Sequence, residues 1–397
     1  MKITRVDVEH LPISLWGDFW DAQRTAASAS PLSKYAQYAD ALDSWWWPQA
    51  LVLVRVVTDA GVSGIGWAED GVRAASDIVR HHFAPRLLVG ADPRQVEALW
   101  DQMYRASIPY GRKGAAVEAI SAVDIALWDL AGKAAGKPVY ELLGGATQPA
   151  LPAYASFLQP VDMDLFVAEA KDYVAQGYRA MKMRMPGGPR HGGAGVRMNV
   201  ERVAAVRDAV GPDVEVMADA YMGWDLRFAQ RQLRALEPYD LGWIEEPLLP
   251  DELSAYAELC RTTRVPVAHG ENEFTRYGFQ QIIDARAAHV LQPDVHRVGG
   301  ITEMRRVAML ASAAGLEVVP HAFSAPTVHA MIAAPNCRML EVLTVPVWAK
   351  DRITRTEPVF LGEPTVDRGV VRPNPAAGLG VTINPARVPA LSHWNER

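Results

Sequence analysis

The chain has 397 residues and a formal charge of −6, from 40 Lys and Arg against 46 Asp and Glu. At about 150 residues per domain this is more than one domain. Hydrophobic residues at 49% and charged ones at 22% exclude a disordered, collagen-like or coiled-coil chain. The absence of a basic excess argues against a nucleic-acid partner, and no apolar run nears the ~18 residues of a membrane span. Cys260 and Cys337 form neither a disulfide framework nor a CxxC pair. The opening MKITRVDVEH alternates like a strand and lacks a signal-peptide core, so a reducing cytoplasm is the expected compartment.

Taken in chain order, Ile3–Val8 and Leu51–Val57 alternate as strands, and the glycine-rich stretch 61–66 reads as a tight turn of an antiparallel meander. It lacks the GxGxxG spacing of a dinucleotide fingerprint. The segment from Trp16 to Trp47 is aromatic, Ser/Ala-rich and aperiodic; connections of that length are usually functional lids or disordered. Its Trp45-Trp46-Trp47 run is too apolar to favour disorder. From about residue 72 to 135 the pattern is helical, with Val117, Ile120, Val123, Leu127 and Leu130 on one face and a stop at Gly136 and Pro138.

Beyond residue 150 short apolar runs alternate with amphipathic segments. The runs are 151–157, 180–185, 215–219, 242–246, 265–270, 289–294, 317–321 and 338–343, with helical patterns such as 200–210 and 301–314 between them. Eight such units predict an α/β (β/α)8 barrel with one unit modified. The Pro-rich tail from about 346 reads as returning to the first domain.

Active sites of such barrels lie at the carboxyl ends of the strands. The polar residues there are Lys182 and Arg184, Asp219, Glu245 and Glu246, Glu271, Asp294, His321 and Glu341. Asp219 to Glu245 and Glu245 to Glu271 are each 26 residues, one βα step, which aims three carboxylates at one point. Their mutual repulsion calls for a cation, and oxygen ligands favour Mg²⁺ first and Mn²⁺ second. Singly, a strand-end Asp caps helices and a lone His packs in cores. Their recurrence at the same phase of successive units carries the functional reading.

On these residues the chain resembles the enolase superfamily, in its mandelate racemase/muconate lactonizing branch. The resemblance runs through AISAVDIALWDLAGKAAGKPV (119–139), KMR (182–184), VMADAY (216–221), WIEEP (243–247), HGENE (269–273), QPD followed by GGITE (292–303), VPHAF (319–323) and MLEV (339–342). It implies an α+β capping domain over 1–140, a (β/α)7β barrel over 141–345 and a segment 346–397 that returns to the cap. It further implies Asp219, Glu245 and Glu271 as Mg²⁺ ligands, His321 as general base, Asp294 as its carboxylate partner and Glu341 as the acid on the eighth strand. Glu245 is preferred over Glu246 because the family's ligand is the first acidic residue of that motif.

Racemases of the family carry Lys-x-Lys on the second strand. Here it is Lys182-Met183-Arg184, and a guanidinium is a poor base at neutral pH. Lys182 and Arg184 are therefore expected to stabilise negative charge, with Arg184 also binding substrate.

The stretches LLPDELSAYAEL (248–259), GENEFTRYGF (270–279) and FLGEPTVDRG (360–369) are similar to the L-rhamnonate dehydratase group of acid-sugar dehydratases. That likeness implies a lyase acting on a small-molecule sugar acid, in a homo-oligomer, with Trp20 and its neighbours Trp16 and Phe19 either over the substrate or in interdomain core. The alternatives are a racemase, epimerase or cycloisomerase of the same family, and a sugar-acid-binding barrel without catalysis.

Overall fold

The computed structural model describes residues 1–12, 29–38, 50–69, 72–158, 160–344 and 358–395. Trp16, Phe19, Trp20 and Trp45–Trp47 lie outside the described residues.

Strands β1 (Ile3–Pro12), β2 (Ala50–Thr58) and β3 (Ser63–Glu69) pair antiparallel in that order. Val52, Val54 and Val56 alternate onto one face of β2 and pack with Ile120, Val123 and Leu127 of the helix Ala115–Ala135. The meander forms, but of the glycines in that stretch only Gly61 lies in its turn. The turn spans Thr58–Val62, where the Gly61 N–H donates to the Thr58 carbonyl. Gly64 and Gly66 lie within β3. A Cβ on Gly66 would overlap the Ala122 carbonyl and the Ala126 amide, so these glycines let the helix lie flush on the sheet.

The Ala115–Ala135 helix is buried on more than its predicted face. Ala119 and Ala122 are enclosed on the sheet side, Asp124 against the barrel helix Gly300–Ala313, and Asp129 by the Ile65 and Leu379 amides that donate to it. It ends at Gly136 (φ 65°), whose N–H bonds back to the Gly132 and Lys133 carbonyls.

The second part is built on eight parallel strands: β4 (Leu151–Leu158), β5 (Ala180–Arg184), β6 (Glu215–Asp219), β7 (Leu241–Glu245), β8 (Val267–His269), β9 (Val290–Leu291), β10 (Glu317–Val318) and β11 (Leu340–Leu343). Each from β4 to β10 hydrogen-bonds to the next. Strand β11 pairs with β4, and Val318 bridges to Cys337 just before β11, bringing the ladder back to its start. A helix follows each strand from β4 to β10: Met163–Ala175, Gly192–Val210, Leu226–Leu236, Leu253–Thr262, Thr275–Ala285, Gly300–Ala313 and Ala325–Ile332. This is the (β/α)7β order.

Strands β9 and β10 are two residues long, shorter than their apolar runs, so Asp294 and His321 stand beyond the strand ends and meet through an isolated bridge. The tail touches both parts. Strands β12 (Val366–Asp367) and β13 (Val370–Val371) form a hairpin whose β13 pairs with β4, and the Leu379 N–H donates to Asp129. Among the described residues, no helix is long and apolar enough to cross a membrane.

Candidate active site

Eight side chains plug the lower barrel: Tyr154, Ala180, Met217, Trp243, Ala268, Val290, Val319 and Met339. Inward positions on a strand are two residues apart. The layer above this floor is therefore Ser156, Lys182, Asp219, Glu245, Gln292, His321 and Glu341, with Gly270 at the β8 position and Glu271 next to it. An apolar layer gives way to a polar one over a single step.

Pairing fixes who meets whom. Arg184 is in register with Asp219, and Asp219 with Glu245. Lys182 Nζ is bonded to Glu245, lies 2.9 Å from Glu341 Oε1 and stands 3.8 Å from Asp219 Oδ2. The Arg184 guanidinium donates to Asp219 and lies 4.6 Å over the Tyr221 ring. Glu245 Oε2 accepts from Trp243 Nε1 at 3.0 Å and from Gln292 Nε2 at 2.6 Å. Glu246, turned by a left-handed φ of 36°, accepts from Asn272 Nδ2 at 2.8 Å.

On another side of the layer, His321 Nδ1 donates to Asp294 Oδ2 at 2.6 Å. Asp294 Oδ1 is held by the His296 amide at 2.7 Å. That pair fixes the tautomer and leaves Nε2 facing the centre, 3.5 Å from Glu271 and 3.9 Å from Glu341. Ala322 next to it sits at φ 67°, a strained conformation for a residue with a Cβ.

Electrostatics follow from this crowding. Burial opposes charge on His321, yet Glu271, Asp294 and Glu341 raise it to about 10. Burial likewise opposes the anion at Glu341, and Lys182 beside it brings the carboxyl down to about 2. Asp294, also buried, is held below the usual carboxylate range by the His321 hydrogen bond. Glu245 goes the other way: burial lifts it to about 7 in spite of Lys182. Glu246 is pushed up further by burial and by Glu271.

Six buried carboxylates, Asp219, Glu245, Glu246, Glu271, Asp294 and Glu341, thus share a few cationic side chains, and burial together with the neighbouring acids keeps Glu245 and Glu246 elevated. Among the described residues no three acidic, His or Cys side chains stand at the mutual spacing of a metal cage, because Asp219 leans on Arg184 and Glu245 on Lys182. By donor chemistry the cluster fits a hard divalent cation: every candidate ligand is a carboxylate oxygen.

All the predicted site residues but Trp20, which lies outside the described residues, come together in this layer or at its rim. Three participants escaped the sequence reading. Gln292 holds Glu245, Tyr221 carries Arg184, and Arg297 contacts Glu271. The period of two from Asp294 was the one available signal for Gln292.

A family model for the mandelate racemase/muconate lactonizing enzyme N-terminal domain matches residues 46–144, and one for the enolase C-terminal domain-like fold matches residues 165–387. The chain belongs to the mandelate racemase/muconate lactonizing enzyme family. Among its relatives is an L-rhamnonate dehydratase of Saccharopolyspora erythraea, 38% identical over 362 residues, 90% of this chain and 89% of that protein. A rhamnonate dehydratase of Gibberella zeae complexed with Mg superposes with a TM-score of 0.86 at 34% identity, covering 98% of this chain and 95% of that one. A Streptomyces coelicolor racemase with bound magnesium superposes at 0.81 with 30% identity, covering 98% and 99%.

Proposed function

We propose that this family member is an Mg²⁺-dependent sugar-acid dehydratase, converting an aldonate to a 2-keto-3-deoxy acid. The observation that carries the reading is the one-sided placement of its proton-transfer groups. His321 has its second nitrogen committed to Asp294. The position across the site, where a racemase needs a second base, holds Arg184, whose charge is fixed between Asp219 and Tyr221. The relatives named above support the substrate class. Mn²⁺ is the substitute metal to test.

Asp219, Glu245 and Glu271 are the residues that would hold the cation. When bound it supplies positive charge that stabilises the enediolate of an α-deprotonated carboxylate. Glu271 is the foremost charge raising His321; with that charge offset in the loaded site, the neutral Nε2 takes the C2 proton, and Asp294 stabilises the imidazolium that results. Lys182 and Arg184 offset the charge growing on the substrate carboxylate, and Glu341 bonds to the same end. The imidazolium returns its proton to the 3-hydroxyl as the C3–O bond breaks. Water leaves, and the enol tautomerises to the ketone. Both groups depart toward one histidine, so the elimination is syn. For the chain as a whole this reading takes 1–140 as cap, 141–345 as barrel and 346–397 as returning segment, in a homo-oligomer in the cytoplasm.

The test is a panel of six-, five- and four-carbon aldonic and aldaric acids in D₂O, followed by NMR and a keto-acid assay. Keto-acid release in wild type, with His321→Asn losing both α-proton exchange and dehydration by about 10³-fold and Asp294→Asn losing less, supports the reading. Exchange without elimination would make it a racemase or epimerase. Exchange that survives His321→Asn would move the base elsewhere.

A further inference from the structure

Arg297 lies three residues after Asp294, is buried, and is shared between the two parts of the molecule. Toward the antiparallel sheet, its Nε and Nη2 donate to both oxygens of Glu69, the last residue of β3, at 3.1 to 3.4 Å. Toward the barrel, Nη1 donates to the Glu271 carbonyl at 3.2 Å and to Asn272 Oδ1 at 3.4 Å. It meets the Glu271 carboxylate only at 3.5 Å, and Nε stands 3.9 Å from Asp294 Oδ2.

The distances rank the partners. Glu69 holds the guanidinium as a two-oxygen fork, the strong geometry for such a pair. Glu271 and Asp294 lie at the long edge of an ion pair. So held, Arg297 leaves Glu271 Oε2 facing the centre of the site, on the His321 side, and leaves Asp294 to His321. Without the charge on Glu69, a buried guanidinium must seek other carboxylates to offset its burial, and Glu271 and Asp294 already stand at the edge of ion-pair distance.

We propose that Glu69 and Arg297 are positioning residues through which the antiparallel sheet sets the cation affinity of Glu271 and the aim of Asp294. The proposal rests on the metal role given to Glu271 above. Both consequences of losing Glu69 oppose cation binding: a freed positive charge near the site, and a ligand carboxylate drawn into an ion pair.

The test is Mg²⁺ titration by calorimetry without substrate, on the full chain. Glu69→Gln should weaken Mg²⁺ binding about tenfold, the size of one charge-assisted hydrogen bond, with the circular dichroism of the folded protein retained at the assay temperature. Glu69→Asp, which keeps the charge, should recover most of the loss. In an Arg297→Gln background, Glu69→Gln should add less than about twofold, because the carrier of the effect is gone. With a turned-over sugar acid, kcat should fall in Glu69→Gln while KM stays near wild type. Wild-type Mg²⁺ affinity in Glu69→Gln, or an undiminished loss in the Arg297→Gln background, overturns the proposal. If wild type binds Mg²⁺ but dehydrates no sugar acid, the functional reading fails and the calorimetric comparison still decides this one.

Discussion

Asp124 offers a sharp test of how the two parts are joined. It is fully buried in the Ala115–Ala135 helix and has no ion-pair partner among the described residues. Its carboxylate accepts from the Thr302 amide at 2.9 Å and from the Thr302 hydroxyl at 2.5 Å, at the amino end of the Gly300–Ala313 helix. Gly300 beside it, at φ 80°, leaves the room the carboxylate occupies.

Burial raises this carboxyl from 3.8 to about 7, against the two Thr302 hydrogen bonds. Between those values the folded chain holds a proton that the unfolded chain has lost. Stability is therefore greatest at the acid end of that window and falls by up to about 1.4 kcal/mol for each pH unit gained, roughly 4 kcal/mol in all. Asp124→Asn is neutral at every pH and still accepts the Thr302 amide. Its urea midpoint should match wild type near pH 4 and exceed it progressively toward pH 8. Other groups that titrate in this range, such as Glu363, lifted by burial to about 7, are common to both proteins and cancel in the difference. Parallel stability curves for the two proteins would refute the reasoning. They would show that the helix amino end keeps Asp124 ionised throughout.

Three further outcomes follow from the geometry. Glu245→Gln should weaken Mg²⁺ binding about 100-fold and Glu246→Gln only about tenfold, since Glu245 is in register with Asp219 while Glu246 is turned onto Asn272; calorimetry with the reverse order would undo the ligand assignment. Arg184→Ala should cut kcat about 100-fold, with Arg184→Lys retaining part of the dehydration and gaining slow α-proton exchange, and unchanged turnover in Arg184→Ala would put this residue outside the reaction. Gly66→Ala should cost at least 1–3 kcal/mol of stability, the range for overpacking, because the added methyl meets backbone atoms of the facing helix; a urea midpoint equal to wild type would disprove that close approach.

The barrel was readable because its signals are local and periodic. An apolar run closed by a charged residue marks a strand end, and the recurrence of such residues at the same phase of successive units brought Lys182, Asp219, Glu245, His321 and Glu341 to one end of the barrel. What escaped depends on partners far away in sequence. Gly64 and Gly66 look like turn residues until the Ala115–Ala135 helix is laid on them. Gln292 and Tyr221 carry no charge, so nothing in composition separates them from core or surface. Arg297 reads as an ordinary loop arginine, since its strongest partner, Glu69, lies 228 residues earlier. Strands β9 and β10 were overestimated because the apolar residues past their ends pack in loops, where hydrophobicity and strand pairing part company.

The tail described with the barrel has a consequence for how the molecule is made. The Leu379 amide bonds to Asp129, the Val139 amide to the Gly378 carbonyl, and Phe360 stacks on Trp67 at 4.1 Å. Residues synthesised later thus complete the surroundings of residues synthesised long before them. Pairings across such distances are slow to form, since loop closure precedes any gain from contact. While residues 360–379 are still within the ribosome, the nascent chain holds the Ala115–Ala135 helix without its final hydrogen bonds, and Trp67 of β3 lacks the ring that stacks on it. Cleavage upstream of Phe360 would return the mature protein to that unfinished state.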